Sequence, residues 1–240
     1  MTRVRADLLV VARGLAGSRA KAREAIAGGG VRADGAIVAK ASDLIAENAT
    51  LEVTPPHPWV SRGGVKLAHA LKAFDIDPNG AVCLDIGAST GGFTQVLLSA
   101  GAARVHAVDV GQGQLHASLR TDPRVVCLEK QDARALTRAQ IGEPPSLIVC
   151  DVSFIGAAKA LGVPLSLAAP RADLIVLIKP QFEVGPHKNA VLDEGPARAG
   201  AQNAIDTLDG LETFHFVNAV DSPIRGRDGN LEMLAHFRRA

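Results

Sequence analysis

The sequence predicts an α/β protein in which a large domain with a mostly parallel sheet follows a small α+β domain. Three observations predict this class. Apolar segments alternate with helical stretches from residue 60 onward, a proline-rich segment precedes them, and a helical pair with short strands opens the chain. The predicted strands of the large domain are Val82–Asp85, Arg104–Asp109, Val125–Leu128, Leu147–Asp151 and Leu174–Lys179. The helices predicted between them include Phe93–Ser99 and Gly156–Leu167.

Proline marks the boundary between the two domains. Thr54–Trp59 contains three prolines, which the interior of a helix or strand does not accommodate. We therefore assign residues 1–53 to the first domain, residues 54–60 to a linker and residues 61–240 to the second domain. With 47% hydrophobic residues in a chain of 240, a packed core is expected.

The first domain begins with an apolar run, Asp7–Arg13, that predicts a helix. Ser18 is a suitable N-cap for a second helix that continues to Ile26. Arg19 and Arg23 are four residues apart and therefore share one face of that helix, opposite its apolar face. The strands predicted after the glycine break are Val31–Arg32, Ile37–Val38 and Thr50–Val53, the first two joined by the turn Ala33–Gly35.

This domain is rich in basic residues, although the net charge of the whole chain is only +1. The motif S-R-x-x-A-R followed by G-x-V-x-x-D-G resembles the S4 RNA-binding domain. The matching residues are Ser18, Arg19, Ala22, Arg23, Gly30, Val31, Asp34 and Gly35. The resemblance implies RNA binding, whereas charge alone would equally fit a solvated helix face. The expected phosphate contacts are Arg3, Arg5, Arg19, Lys21 and Arg23, with Arg62 as a further candidate.

The segment C-L-D-I-G-A-S-T-G-G-F-T at Cys83–Thr94 predicts a cofactor site. An apolar strand stops at Asp85, and glycines then allow the backbone to turn and to approach a ligand closely. The glycine spacing differs from the G-x-G-x-x-G pattern of dinucleotide sites, and a carboxylate here would repel a pyrophosphate. Asp85 suits a cationic ligand instead, such as the amino group of S-adenosylmethionine. The sequence therefore favours methyl transfer.

Two further acids follow predicted strands. Asp109 lies about 20 residues after the glycine turn, where a doubly wound sheet offers an acceptor to ribose hydroxyls. Asp132 follows the next strand, and its carboxylate could accept a hydrogen bond from an adenine amino group. Each acid taken singly could instead cap a turn. Their shared position at strand ends favours a nucleoside site.

Asp151 and Lys179 end the predicted strands Leu147–Asp151 and Leu174–Lys179, at the sheet edge where ligand sites of this architecture lie. A ribose 2′-hydroxyl is a weak nucleophile at neutral pH, so its attack needs a base; a lysine can serve when burial or a cationic neighbour favours its neutral form. Lys66, near the start of a helix, could supply that cation. Glu232, in a predicted late strand Asn230–Leu234, could return to the same edge. Each lysine taken singly could also be a solvated charge.

These four residues resemble the K-D-K-E tetrad of FtsJ-like ribose 2′-O-methyltransferases, and nearly the whole chain resembles the TlyA family, also called hemolysin A. The motifs that carry this resemblance are S-R-G-G-x-K-L at Ser61–Leu67, Cys83–Thr94, A-V-D-V-G at Ala107–Gly111, C-D-V-S-F-I at Cys150–Ile155 and K-P-Q-F-E at Lys179–Glu183. The family implies an S4 domain joined to a class I (Rossmann-like) methyltransferase domain. Its members methylate cytidine 2′-hydroxyls in ribosomal RNA with S-adenosylmethionine.

The resemblance also implies roles for single residues. Lys179 is expected to be the general base and Asp151 to position it, while Lys66 supplies the neighbouring cation and Glu232 orients Lys66 or the ribose. The residues expected to contact the cofactor are Asp85, Gly87, Ser89, Gly91, Gly92, Phe93, Asp109 and Asp132. The Gly185–Gly195 loop departs from the glycine-rich segment of the family. The resemblance therefore does not predict how the target nucleotide enters the site.

The expected partner is ribosomal RNA within ribosomal subunits. Only eight residues follow Glu232, as in the shorter family members, which favours the large subunit over the small one. No apolar stretch approaches the roughly 20 residues that span a bilayer. The three cysteines lack metal-ligand spacing, so we expect a cytoplasmic protein with reduced thiols and no metal. The alternatives are a non-catalytic RNA-binding or ribosome assembly protein, a membrane-lytic hemolysin and a small-molecule methyltransferase; the oligomeric state is not predicted.

Overall fold

The computed structural model describes residues 2–153, 155–184 and 191–240. The chain divides into two compact units, Met1–Pro58 and Trp59–Ala240. Two sequence features fall partly outside the described residues: Phe154 of the Cys150–Ile155 motif, and positions 185–190 of the loop that departs from the family pattern.

The first unit combines two helices with two small antiparallel sheets. Its elements are β1 (Arg3–Arg5), α1 (Ala6–Ala12), α2 (Arg19–Ala27), β2 (Val31–Ala33), β3 (Ala36–Ile37), β4 (Leu44–Ala46) and β5 (Leu51–Val53). Strand β1 pairs with β4, and β2 lies between β3 and β5. Helices α1 and α2 pack together over a core that includes Val10, Ile26 and Val31.

The helices and the hairpin predicted for this unit are confirmed. The Ser18 side chain caps α2 by accepting a hydrogen bond from the backbone N–H of Lys21 at 3.3 Å. Asp34 and Gly35, with φ of 50° and 80°, form the turn between β2 and β3. The sequence did not predict β1 and β4. Each has three residues and pairs with a segment distant in the chain, so no local pattern marks either strand.

The second unit is a doubly wound α/β fold. Its helices are α3 (Gly63–Phe74), α4 (Gly92–Ser99), α5 (Ala117–Arg120), α6 (Arg138–Ile141), α7 (Ala157–Ser166) and α8 (Glu194–Leu208). Its strands are β6 (Val82–Ile86), β7 (Arg104–Asp109), β8 (Val125–Glu129), β9 (Leu147–Cys150), β10 (Ala172–Ile178), β11 (His215–Asp221) and β12 (Met233–Arg239). Their order across the sheet is β11-β12-β10-β9-β6-β7-β8.

The direction of the chain through the sheet creates a crevice. Strands β10, β9, β6, β7 and β8 pair in parallel, whereas β12 pairs antiparallel with both β10 and β11, so β12 runs opposite to the other strands of this sheet. The chain proceeds from β6 outward to β8 and then returns to β9 on the other side of β6. Open α/β sheets bind ligands beyond the carboxyl ends of strands at such a reversal. Here the reversal lies at Ile86 and Cys150, which are in register.

Burial on both faces explains the continuous apolar strands of the sequence. Helices α3 and α4 cover one face, with Leu67 and Leu97 in the core. Helices α7 and α8 cover the other face, with Leu161 and Ile205 in a second core cluster. The predicted fold class, a mostly parallel sheet with flanking helices, is confirmed.

The antiparallel edge of the sheet differs from the sequence prediction. Strand β11 was not predicted, and Glu232 lies just before β12 rather than within a strand. The physical reason is that β10 ends at Ile178: Pro180 has no N–H and opens a 3₁₀ turn, so the ladder cannot continue. The carbonyl of Glu232 instead accepts a hydrogen bond from the N–H of Ser222 at 2.9 Å.

The cysteines are free thiols, as their apolar surroundings predict. Burial raises the pKa of the Cys83 and Cys150 thiols to about 12, which keeps them protonated. Among the described residues, no cluster of His, Cys, Asp and Glu could hold a metal ion. No helix in the described ranges has the length and apolar character needed to cross a bilayer.

Candidate active site

A cavity of about 320 Å³ lies at the carboxyl edge of the sheet, beyond the ends of β6, β7, β8 and β9. This volume falls in the range of small-molecule sites, roughly 300–1,000 Å³. Four of the residues predicted to bind the cofactor line it: Gly87, Ser89, Asp109 and Asp132. The sequence prediction and the topological reversal therefore point to the same place.

A second cavity, of about 130 Å³, shares wall residues with the first. Gly92 and Phe93 line this smaller cavity together with Ser61 and Gly63 at the start of α3. Gly87, Ser89 and Asp151 line both cavities, so the two are adjacent along the sheet edge. Of the predicted cofactor residues, Asp85 and Gly91 line neither cavity within the described part of the chain.

Asp85 is fully buried at the end of β6. Its Oδ2 accepts a hydrogen bond from the Thr94 hydroxyl at 2.6 Å, whereas its Oδ1 has no partner among the described residues. Burial raises the pKa of Asp85 to about 7; the Thr94 hydrogen bond opposes this shift, and the negative charge of Asp151 adds to it. A buried carboxylate oxygen without a partner fits the approach of a cationic group.

Gly87 brings the ends of β6 and β9 close together. Its φ is +82°, and a Cβ atom there would lie 2.5 Å from the carbonyl oxygen of Asp151. A larger residue would therefore be strained and would push the two strand ends apart. At Gly91, where φ is +95°, a Cβ atom would instead clash with Leu119 Cδ1 and lie 2.8 Å from Leu115 Cδ1, so packing against these side chains also favours glycine. The contact of Gly91 with the cofactor stays a prediction.

Asp109 joins the two turns that surround the larger cavity. Its Oδ2 accepts a hydrogen bond from the N–H of Ser89 at 2.8 Å, and its Oδ1 accepts one from the N–H of Gly111 at 2.7 Å. The carboxylate therefore fixes the glycine turn after β6 against the turn after β7. An ionised carboxylate offers about four acceptor sites, so capacity remains for ribose hydroxyls.

Asp132 also lines the larger cavity, but its carboxylate is engaged locally. It accepts hydrogen bonds from the backbone N–H, the Nε and the Nη2 of Arg134, at 2.7 to 3.1 Å. The Arg134 side chain, followed by its backbone N–H, holds the pKa of Asp132 down at about 2. The contact of Asp132 with an adenine amino group stays a prediction.

Sequence reasoning missed Glu129, at the end of β8. Its carboxylate accepts hydrogen bonds from the backbone N–H groups of residues 113–115 at 2.7 to 3.1 Å, and from Arg120 at 2.8 Å. These bonds hold the pKa of Glu129 at about 2. They also shape the loop that carries Gln114, whose side chain lines the cavity and accepts a hydrogen bond from the Ser89 hydroxyl. The available signal was its position at a strand end, like that of Asp109.

Two apolar side chains of the larger cavity were also missed. Val110 and Ile155 are exposed by 73% and 39%, and both contribute to the cavity wall. Each follows a predicted strand end closely in sequence, after Asp109 and Asp151. Exposed apolar groups beside polar ones are suited to the flat surface of a nucleobase.

Lys179 and Asp151 form an ion pair at the sheet edge. The distance from Lys179 Nζ to Asp151 Oδ1 is 2.5 Å, and Nζ also donates a hydrogen bond to the Ser153 hydroxyl at 2.8 Å. The Lys179 side chain is only 11% exposed. Asp151 and Ser153 both line the larger cavity. The amine of Lys179 is therefore held by two side chains of the cavity wall.

Lys66 and Glu232 form a second, buried ion pair. Their side chains are 9% and 4% exposed. Glu232 precedes Met233, which is in register with Ile178, so the backbones of Glu232 and Lys179 are neighbours. The structure thus brings the four predicted tetrad residues to one edge of the sheet as two ion pairs.

The residues predicted to contact RNA fall into three groups. The guanidinium groups of Arg5, Arg19 and Arg23 all donate hydrogen bonds to the carboxylate of Asp7 in the first unit. Arg3 is exposed and Lys21 is half-buried. Arg62, in the second unit, donates to the carbonyl oxygen of Arg225. The role of Asp7 was not predicted, because the sequence alone does not show which acid meets which arginine.

Comparisons with known proteins agree with this geometry. The FtsJ-like methyltransferase family matches residues 59–239, and the S4 domain family matches residues 4–51. The 16S/23S rRNA (cytidine-2′-O)-methyltransferase TlyA of Mycobacterium tuberculosis is 44% identical over 98% of this chain and 90% of its own length. The chain belongs to the TlyA family of FtsJ-like methyltransferases.

Two further proteins are similar to this chain over nearly its whole length. Hemolysin A of Brachyspira hyodysenteriae is 38% identical over 98% of this chain and 99% of its own length. The solved structure of a putative hemolysin from Streptococcus thermophilus has a TM-score of 0.74 and 33% identity, and covers 100% of this chain and 90% of that one. The family predicted from the motifs is therefore confirmed.

Proposed function

We propose that this protein transfers a methyl group from S-adenosylmethionine to the 2′-hydroxyl of cytidine in ribosomal RNA, with Lys179 as the general base. The observation that carries the proposal is the Lys179–Asp151 ion pair, which borders a cavity of small-molecule size. The relative from M. tuberculosis has this activity in its name and is similar over nearly the whole chain.

Lys179 provides the chemistry that ribose methylation requires from the protein. S-Adenosylmethionine, when bound, supplies an electrophilic methyl group on a positively charged sulfur. The Nζ of Lys179, in its neutral form, accepts the proton that the 2′-hydroxyl loses and afterwards releases it to water. Asp151 and Ser153 hold Nζ in place. We propose Lys66, held in position by Glu232, as the neighbouring cation at this edge of the sheet.

The cofactor is proposed to occupy the two adjacent cavities. Asp85 would pair with its amino group, Asp109 would accept hydrogen bonds from its ribose, and Asp132 would accept one from its adenine amino group. Gly87 and Ser89 border both cavities, while Gly92 and Phe93 border the smaller one. The unpartnered Oδ1 of Asp85 supports this arrangement, because a positively charged group would complete its hydrogen bonding.

The first unit is proposed to bind the RNA. Its match to the S4 domain and its exposed cations, Arg3, Arg19 and Arg23, support contacts with phosphates. A small-molecule methyltransferase would have no use for this surface. The substrate is therefore proposed to be ribosomal RNA within a subunit, and the preference between the two subunits is an outcome of the experiment below.

Cofactor affinity is expected to depend on pH through Asp85. Because burial raises its pKa to about 7, the carboxylate becomes protonated as the pH falls below 7 and can no longer pair with a cation. The Kd for S-adenosylmethionine is therefore expected to rise by up to about tenfold per pH unit below 7. In Asp85→Asn the Kd is expected to be higher and nearly independent of pH. Titration calorimetry from about pH 6 to about pH 8 measures both.

The same ionisation has an opposite effect on stability. A raised carboxyl pKa means that the folded protein without cofactor loses stability as the pH rises from about 4 to about 7. Asp85→Asn is therefore expected to raise the Tm at neutral pH, and the exposed control Glu143→Gln to leave both Tm and Kd unchanged. A wild-type Kd that stays constant over this pH range would exclude the carboxylate of Asp85 as the partner of the cofactor amino group.

The reaction is tested with ribosomal subunits that lack the modification. Labelled S-adenosylmethionine is incubated with the protein and with large and small subunits separately, and the RNA is digested to nucleosides. The expected product is 2′-O-methylcytidine, and subunits methylated beforehand are expected to take up no label. Label on a base would contradict ribose methylation. No transfer to either subunit by a protein that binds the cofactor would favour the non-catalytic RNA-binding alternative.

A further inference from the structure

Asp7 holds three arginines although it is itself fully buried. Its Oδ1 accepts a hydrogen bond from Arg5 Nε at 3.0 Å. Its Oδ2 accepts from Arg5 Nη2 at 3.2 Å, and from Arg19 Nη2 and Arg23 Nε at 3.1 Å each. Arg5 precedes α1, whereas Arg19 and Arg23 lie one turn apart on α2. One acid therefore fixes cations from two separate segments of the first unit.

The three arginines keep most of their hydrogen-bond donors for a ligand. Their side chains are exposed by 39%, 51% and 55%, while Asp7 has no exposure at all. A guanidinium carries five N–H donors. The three guanidinium groups together donate four hydrogen bonds to Asp7, so most of their donors are not used by this carboxylate. Three positive charges against one negative charge leave the cluster cationic.

The cluster stays charged over the physiological pH range. The hydrogen bonds from Arg5, followed by those from Arg19 and Arg23, hold the pKa of Asp7 well below its usual range. A buried carboxylate is costly unless cations satisfy it, so the arginines are kept in place. A mobile arginine loses side-chain freedom when it binds a phosphate, but an arginine that is already fixed loses less.

We propose that Asp7 is a positioning residue, which pre-organises Arg5, Arg19 and Arg23 as one binding site for an RNA phosphate. This inference rests on the proposed function, because it assumes that the first unit binds RNA. A positioning role and a purely electrostatic role of Asp7 predict opposite changes in RNA affinity when its charge is removed. Removal of a negative charge from a cationic surface should strengthen RNA binding, whereas loss of a positioning residue should weaken it.

The test compares Asp7→Asn with Glu52→Gln in the full chain. Glu52 is an exposed acid of the same unit, and the hydrogen bonds of the three arginines run to Asp7, so this variant makes the same change in net charge without removing those bonds. Binding to a fluorescein-labelled RNA stem–loop is measured at several salt concentrations. Asp7→Asn is expected to raise the Kd about tenfold and to reduce its salt dependence, since fewer arginines contact phosphate together. Glu52→Gln is expected to change the Kd by less than about twofold.

A double-variant cycle separates positioning from a general loss of structure. In the Arg19→Ala/Arg23→Ala background, the Asp7→Asn change is expected to raise the Kd by less than it does in the wild-type background, because two of the three arginines that Asp7 positions are already absent. Additive losses in the cycle would contradict the proposal. The amide resonances of the first unit report whether each variant is folded.

Where Asp7→Asn unfolds the first unit, Arg23→Lys replaces it as the test. This variant keeps the charge but loses the Nε–H that bonds to Asp7. It is expected to weaken RNA binding about fivefold, whereas Arg32→Lys, at an arginine that donates to the carbonyl oxygen of Gly35, is not. Equal Kd values for these two variants, or wild-type affinity in a folded Asp7→Asn, would overturn the inference alone. A wild-type protein that does not bind the RNA would instead overturn the proposed function.

Discussion

Lys179→Met is expected to lower kcat for methyl transfer by about 10²–10⁴-fold, the range that a general base contributes. The affinity for S-adenosylmethionine is expected to stay within about twofold of the wild type, because the base acts on the nucleophile and not on the sulfonium. Methionine is unbranched and similar in length to lysine, so it fills the space beside Asp151 without an amine. Single-turnover transfer to ribosomal subunits gives the rate, and calorimetry gives the cofactor affinity.

Lys72→Met is the matched control for this prediction. Lys72 is an exposed lysine of α3, and its side chain has no place in either cavity wall within the described residues. The control is expected to react like the wild type. Lys179→Met with a rate close to that of the control would remove Lys179 as the base. A large loss of cofactor affinity would assign Lys179 to cofactor binding instead.

Variants of the Lys66–Glu232 pair are expected to affect stability and the methyl transfer rate in different patterns. Lys66→Met leaves Glu232 as a buried and unpaired charge, and Glu232→Gln does the same to Lys66. Each single change is expected to lower the free energy of unfolding by about 3–5 kcal/mol. The double variant removes both charges and is expected to regain most of that stability, because no uncompensated ion remains in the interior. Denaturant unfolding of the four proteins measures the effect.

The methyl transfer rate is expected to follow a different pattern. The double variant should remain as slow as the single variants, since the positive charge proposed to act beside Lys179 is absent from it. Recovery of both stability and rate in the double variant would show that the pair is structural alone. Equal stability of all four proteins would show that the two charges are not coupled through the buried contact.

Much of the candidate site was predictable because it follows local rules. Strands end at polar residues, so the positions of Asp85, Asp109 and Asp151 at one edge follow from three apolar runs and from parallel pairing. Gly87 follows from the sharp turn between a strand and a helix. The proline-rich segment similarly predicted the boundary between the two domains. The motifs of the TlyA family are long enough to predict membership before any coordinate is considered.

The edge of the sheet was less predictable, for a physical reason. Strand β11 has a weak pattern because it lies at the sheet edge, where most of its residues are exposed. The sequence predicts Glu232 in a strand. However, Pro180 follows β10, and the hydrogen-bond ladder between β10 and β12 ends before Glu232. Pairing of strands depends on the partner as well as on the strand itself, and no window of a few residues contains both.

The amino-acid order alone was sufficient for the fold class and the family, since periodicity, glycine and proline act over a few neighbouring positions and the family motifs are long. The catalytic roles of the four tetrad residues stay predictions. The pairing of charges required the folded chain. Lys66 meets Glu232 across 166 positions, and Asp7 meets Arg23 across 16. From the sequence, many acidic residues could pair with each basic one. In the folded protein a buried charge needs a partner in direct contact, and packing decides which acid that is.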